Sequence, residues 1–92
     1  MPEASLRIPT PLQPFTDGSA EIAVDADTVG AAIARAGEQY PPLLHQVLTR
    51  DGQVRRYVNV FVRQQDIRQL DGLDTPLENG DEIIVMPSVA GG

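Results

Sequence analysis

Glu21-Ile22-Ala23-Val24-Asp25-Ala26-Asp27-Thr28-Val29-Gly30-Ala31-Ala32-Ile33-Ala34-Arg35-Ala36-Gly37-Glu38-Gln39-Tyr40 changes its hydrophobic period part-way along. From Glu21 to Val24 polar and apolar residues alternate, the pattern of a half-buried strand. From Val29 onward Val29, Ala32, Ile33, Ala36 and Tyr40 fall on one helical stripe, so the spacing predicts the main helix there. Thr28 or Asp27 is placed to accept a hydrogen bond from the unpaired N–H groups of its first turn, and Pro41-Pro42 forces its end. Gly30 and Gly37 inside the stripe each cost about 1 kcal/mol relative to Ala, which predicts close packing of the helix on a sheet.

Working outward toward the start, Ser5-Leu6-Arg7-Ile8 alternates until Pro9, which cannot donate to a sheet ladder, and so reads as a first strand. Pro9, Pro11 and Pro14 mark an extended loop. The turn at Asp17-Gly18 then leads into the Glu21–Val24 strand as the return arm of a hairpin, with Leu6, Ile8, Ile22 and Val24 as its buried face. Toward the end, a shorter helix is expected from Leu43 to Leu48. After Asp51-Gly52 the run from Val54 to Arg63, with Val58, Val60 and Val62 alternating against Tyr57, Asn59, Phe61 and Arg63, reads as a central strand with two usable faces.

Gln64 to Asn79 is polar and irregular, with Ile67, Leu70, Leu73 and Leu77 as anchors for a segment that wraps the sheet. Asn79-Gly80-Asp81 turns the chain into a last strand, Glu82 to Met86, ending at Pro87. The order is hairpin, helix, central strand, wrapping segment and final strand. It predicts an α+β fold with a small mixed sheet packed on one main helix. With the final strand beside the first, as the handedness of crossover connections favours, this is the ubiquitin-like β-grasp. Residues 1–87 then form the domain and 88–92 a flexible tail.

The chain of 92 residues has room for one domain and too little buried surface for a sizeable catalytic cleft. Its net charge of −6 argues against nucleic acid and anionic membrane as partners and favours a basic patch on a protein. All seven basic residues are Arg, so the chain supplies no lysine amine for Schiff-base chemistry or isopeptide attachment. The absence of cysteine excludes a disulfide framework, a thiolate metal site and a thiol nucleophile. Met1 to Arg7 lacks the basic and apolar regions of a secretion signal, and no stretch approaches a membrane span, so a cytoplasmic protein is expected.

No nucleophile is paired with a base, and the single histidine, His45, has no second histidine at ligand spacing, which assigns it a surface or packing role. Asp25 with Asp27, and Asp81 with Glu82, are acid pairs of the kind that hold hard cations. Their places beside a helix start and a strand turn favour capping and solvation. The chain is not expected to be an enzyme or to bind a cofactor of its own.

The chemistry-bearing feature is Gly91-Gly92 with its carboxylate. An α-carboxyl is ionised at neutral pH and is a poor electrophile until another enzyme activates it. Two residues without side chains enter a narrow channel and let the backbone approach a nucleotide closely.

Leu77-Glu78-Asn79-Gly80-Asp81-Glu82-Ile83-Ile84-Val85-Met86-Pro87-Ser88-Val89-Ala90-Gly91-Gly92 resembles the C-terminal signature of the MoaD/ThiS family of ubiquitin-like sulfur carriers. It joins a Gly-Asp turn, an apolar strand, a Pro at the strand exit and a closing Gly-Gly. Arg7-Ile8-Pro9-Thr10 with Leu12 and Pro14, Asp27-Thr28-Val29-Gly30-Ala31, and Val58-Asn59-Val60-Phe61-Val62 with Asp66-Ile67-Arg68 extend the likeness, which is greatest to the CysO-type carriers of cysteine biosynthesis.

The resemblance implies a protein that acts through Gly92. An ATP-dependent, ubiquitin-activating-like adenylyltransferase and sulfurtransferase would convert Gly92 to an acyl-adenylate and then to a thiocarboxylate, with Gly91 supplying reach. A pyridoxal-phosphate-dependent cysteine synthase would accept the sulfur and a metallopeptidase would release cysteine, the pyridoxal phosphate and metal belonging to those partners. The small subunit of molybdopterin synthase, a ubiquitin-like modifier and a plain β-grasp binding module are the alternatives. Thiamine, tRNA thiolation and natural-product pathways are other destinations for the sulfur.

Strand alternation places the partner-binding surface. With Val58, Val60, Ile83 and Val85 facing the helix, Phe61, Ile84 and Met86 share the opposite face with Tyr57 nearby, leading to Val89 and Ala90 of the tail. The competing expectation is that the segment from Leu70 to Leu77 covers those side chains. Arg63 and Arg68 are read either as partners for acids on another protein or as a soluble rim.

Overall fold

Five strands and two α-helices succeed one another in the computed structural model, which describes residues 1–87. They are β1 (Glu3–Arg7), β2 (Glu21–Asp25), α1 (Val29–Gln39), α2 (Pro41–Val47), β3 (Val58–Val62), β4 (Gln65–Asp66) and β5 (Asp81–Pro87). The sheet order is β2-β1-β5-β3-β4. β1 and β5 run parallel, and every other neighbouring pair is antiparallel. This is the expected ubiquitin-like β-grasp, with the final strand beside the first.

The core lies between one sheet face and α1. Val29, Ala32, Ile33 and Ala36 of the helical stripe meet Leu6, Ile22, Val60, Val62, Ile83 and Val85, all of them buried. Thr28 caps α1, its side-chain oxygen accepting from the Ala31 N–H at 3.1 Å. Tyr40 closes the helix half-buried. In the hairpin Leu6, Ile8 and Ile22 are buried as expected, whereas Val24, opposite Ala4 at the open end of the strand pair, is only half-buried.

The two helical glycines do pack closely, but not on the sheet. A β-carbon on Gly30 would lie 3.0 Å from the Leu73 carbonyl oxygen, and one on Gly37 would lie 2.9 Å from Leu44 Cδ1. Gly30 admits the wrapping segment and Gly37 admits α2.

Local structure departs from the sequence expectations at four places. The proline-rich stretch is a 3-10 helix over Thr10–Thr16 rather than an extended loop. Short helices of this kind tolerate proline because their first N–H groups have no internal partner, and burial of Leu12 and Thr16 secures it; the Thr16 hydroxyl donates to the Ser19 carbonyl at 2.8 Å. Pro41-Pro42 ends α1 but also begins α2, which starts two residues before the expected Leu43.

β3 begins at Val58 rather than Val54, because the Val58 N–H closes a turn onto the Arg55 carbonyl at 3.0 Å. Val54 instead bridges Leu48. β4 was not expected at all: Gln65 pairs with Val62 across a two-residue turn whose central residues, Arg63 and Gln64, have φ of 50° and 67°. Hairpin turns of that shape ordinarily announce themselves with Asn or Gly, and neither is present.

Candidate functional site

β5 is the strand that leads to the proposed reactive tail, and it sits at the centre of the sheet. Its parallel ladder to β1 runs from Ala4 opposite Asp81 to Arg7 opposite Ile84. Its antiparallel ladder to β3 runs from Val62 opposite Ile83 to Val58 opposite Pro87. Ile83 and Val85 are fully buried toward α1. Pro87, the last described residue of β5, has no N–H to give to the ladder. Val89, Ala90, Gly91 and Gly92 lie outside the described residues.

On the sheet face turned away from α1, Phe61 and Ile84 are direct cross-strand partners and both are half-buried. Met86, on the same face opposite Asn59, is 50% exposed, and Tyr57 beside the start of β3 is 52% exposed. The three apolar side chains named from the sequence thus form a strip that ends next to Pro87. Arg7 borders the strip on β1 and reaches Glu82 at 3.5 Å.

The wrapping segment is anchored elsewhere. Leu73 lies against Gly30, the Leu77 N–H donates to the Asp27 carbonyl at 2.9 Å, and Pro76 bridges Thr28, all at the start of α1. Ile67 and Leu77 are buried, while Leu70 and Leu73 are partly buried against the core.

Arg63 and Arg68 are both engaged within the chain. Arg63 pairs with Asp81 and donates to the Pro76 carbonyl at 3.2 Å, with Glu78 at 3.4 Å. Arg68 donates to the Val58 carbonyl at 2.8 Å and to Asn59 Oδ1 at 3.0 Å, with Asp66 at 3.6 Å. It therefore clamps the first two residues of β3.

Of the acid pairs, Asp81 and Glu82 are tied to Arg63 and Arg7 respectively. No cluster of His, Cys, Asp or Glu able to hold a metal ion occurs among the described residues. His45 is exposed on α2, where its carbonyl accepts from Arg55 Nε at 2.7 Å.

Two surface grooves occupy opposite ends of the sheet. One, about 450 Å³, opens at the start of β1 and β5 and includes Glu3, Asp25 and Asp81 in its walls. The other, about 430 Å³, opens where β5 ends; Arg55, Arg56, Tyr57 and Pro87 line it together with Leu12 and Gln46, and no carboxylate among the described residues does. This second groove was not foreseen from the sequence. The adjacent arginines beside a tyrosine, in a chain dominated by acids, are the signal that marks it.

The sequence profile of the ThiS family matches residues 6–92. The chain belongs to the ThiS family. Among relatives, this ThiS-family chain is 33% identical over 90 residues to the sulfur carrier protein CysO of Mycobacterium tuberculosis, covering 96% of this chain and 97% of CysO. The crystal structure of that CysO superimposes with a TM-score of 0.86 at 31% identity, over 94% of this chain and 99% of CysO.

The structure of the Amycolatopsis orientalis BexX/CysO complex gives a TM-score of 0.88 at 28% identity, over 97% of this chain and 99% of the matched one. A small archaeal modifier protein 3 of Haloferax volcanii is 39% identical over 70 residues, 75% of each chain. The ubiquitin-like sheet of this ThiS-family chain is thus shared with solved relatives across nearly its whole length.

Proposed function

We propose that this chain is a sulfur carrier whose Gly92 is the reacting residue, with cysteine biosynthesis as its pathway. The observation that carries the reading is the likeness to CysO over 96% of the chain, joined to a central strand that ends at Pro87 and is followed by Ser88-Val89-Ala90-Gly91-Gly92. The Gly92 carboxylate attacks the α-phosphorus of ATP in an activating enzyme, and pyrophosphate leaves. A sulfide sulfur then attacks the acyl carbon and AMP leaves, producing the thiocarboxylate.

The soft anionic sulfur is next delivered to an activated serine on a pyridoxal-phosphate-dependent synthase, and a metallopeptidase frees the cysteine. ATP, pyridoxal phosphate and metal all act in the partner enzymes. The chain itself is a co-substrate, and a cytoplasmic setting fits those partners. The Amycolatopsis orientalis BexX/CysO complex supports engagement with a partner protein. The strip of Phe61, Ile84 and Met86, with Val89 and Ala90 beyond it, is the surface on which such a partner rests before the tail enters its channel.

The test is intact mass after incubation with ATP, a sulfide source and candidate activating enzymes, beside a Gly92-deleted control. Replacement of one oxygen by sulfur, absent from the control, is the expected result. An unchanged mass with every activating enzyme tried refutes the reading. The likeness to a small archaeal modifier favours one second reading, attachment to lysines of other proteins. It would appear in cell extracts as high-mass conjugates that vanish with Gly92.

A further inference from the structure

The thirteen acidic and seven basic residues are not spread evenly, and the topology shows how they are sorted. Parallel β1 and β5 begin at one end of the sheet with Glu3 and Asp81, and antiparallel β2 ends there with Asp25. The opposite end, where β5 finishes, receives the turn that opens β3, and Arg56 and Tyr57 stand at the centre of that turn. The two grooves express this sorting: the far one has three carboxylate residues in its walls, and the one at the end of β5 has two arginines and, among the described residues, no carboxylate.

The two arginines differ in freedom. Arg55 is exposed and held by the hydrogen bond that its Nε donates to the His45 carbonyl at 2.7 Å, a contact that uses neither of its terminal nitrogens. Arg56 is exposed and pairs with no carboxylate among the described residues. An acidic chain that places two adjacent guanidinium groups, without a carboxylate partner among the described residues, beside the end of β5 presents there a local field opposite in sign to its net charge.

We infer that the groove between Arg55, Arg56, Tyr57 and Pro87 docks an acidic segment of a protein, the Asp- or Glu-bearing rim of the channel that receives the tail. The inference rests on the sulfur-carrier reading for the identity of that protein. Charge complementarity selects the carboxylate class. Distance selects the rim over the nucleotide: five residues beyond Pro87 span about 17 Å when extended, so a phosphate reacting at Gly92 in an extended tail lies well beyond the arginine side chains. Paired charges at such a rim act mainly on encounter and register, leaving the chemical step at Gly92 untouched.

The experiment has two arms. In the first, the full 15N-labelled chain is titrated with hexaglutamate and, separately, with AMP. Hexaglutamate is expected to shift the amide resonances of Gln46, Arg55, Arg56 and Tyr57, with the shifts lost at high salt and in Arg56→Glu, whereas AMP leaves them in place. Shifts spread equally over Arg7 and Arg35, or no shifts, overturn the inference; AMP shifting the same residues more strongly than the peptide overturns it in favour of a phosphate site.

In the second arm, the thiocarboxylation reaction is run with Arg56→Glu, Arg56→Lys and, as a control on the exposed face of α1, Arg35→Glu. Arg56→Glu is expected to raise KM for the carrier about tenfold with kcat unchanged, while Arg56→Lys and Arg35→Glu stay within twofold of the parent. An unchanged KM in Arg56→Glu overturns the docking inference even where the mass change at Gly92 is seen. If no mass change is seen with the parent chain, the function reading fails, and the peptide titration still decides the groove.

Discussion

Gly30 of α1 rests on the backbone of Leu73, so close that a β-carbon would lie 3.0 Å from the Leu73 carbonyl oxygen and 3.1 Å from its Cβ. Helix propensity alone favours Ala at this position by about 1 kcal/mol. The contact opposes it, because a backbone carbonyl cannot rotate away as a side chain can. Gly30→Ala is therefore expected to destabilise the domain by about 1–3 kcal/mol. Urea unfolding checks it, and a midpoint at or above that of the parent would refute the contact as a constraint.

Gln64 has a φ of 67° and, unlike Arg63, its side chain makes no ion pair or hydrogen bond among the described residues that would offset it. A left-handed non-glycine residue costs about 1–2 kcal/mol relative to a permissive one, part of which glycine gives back through its freedom in the unfolded chain. Gln64→Gly is expected to stabilise by up to about 1 kcal/mol. Arg63→Gly, at φ 50°, is expected to gain nothing, because it also removes the links to Asp81, Glu78 and Pro76. Thermal unfolding of the two variants side by side gives the comparison.

Arg68 reaches the Val58 carbonyl and Asn59 Oδ1, and its side chain is 46% exposed. Allowing for solvent screening, Arg68→Ala is expected to cost about 1–2 kcal/mol. Lys offers a single ammonium instead of a planar fork and should recover less than half of that loss. Faster amide exchange at Val58 and Asn59 in both variants would locate the effect at the first two residues of β3.

Met86 is half exposed and Ile83 is fully buried, although both belong to β5. Ile83→Ala is expected to cost about 2–5 kcal/mol through lost burial and the cavity left behind. Met86→Asp should change stability by no more than about 0.5 kcal/mol while lowering kcat/KM for thiocarboxylation roughly 10- to 30-fold. Denaturation and the mass-based assay on the same samples separate the two effects. A Met86→Asp protein that is activated as well as its parent would remove the outer strip from the docking surface.

The main elements were legible because their burial is one-sided and periodic: Val29, Ala32, Ile33 and Ala36 mark α1, and Val58, Val60 and Val62 mark β3. What escaped was decided by contacts between segments distant in sequence. Gly30 and Gly37 announce close packing, but nothing local says that Leu73 and Leu44 are what they meet. The prolines from Pro9 to Pro14 are equally compatible with extended chain and with the 3-10 helix that burial of Leu12 selects.

β4 spans two residues, too few for a period to show, and the turn that leads into it carries Arg63, which pairs with Asp81 of another strand. At the candidate site, alternation placed Phe61, Ile84 and Met86 on one face, and the strand register adds that Phe61 and Ile84 are direct partners there. The groove of Arg55 and Arg56 escaped because it is assembled from α2, the Thr10–Thr16 helix and the end of β5, which only the fold brings together.

The parallel pairing of β1 with β5 gives the domain a mechanical property. Glu3 and Pro87 lie at opposite ends of two adjacent strands that point the same way. Tension applied between them loads the ladder in shear, so its hydrogen bonds must yield together rather than open one after another. A pull on the chain beyond Pro87, resisted at Glu3, would therefore load the strand best placed to withstand it.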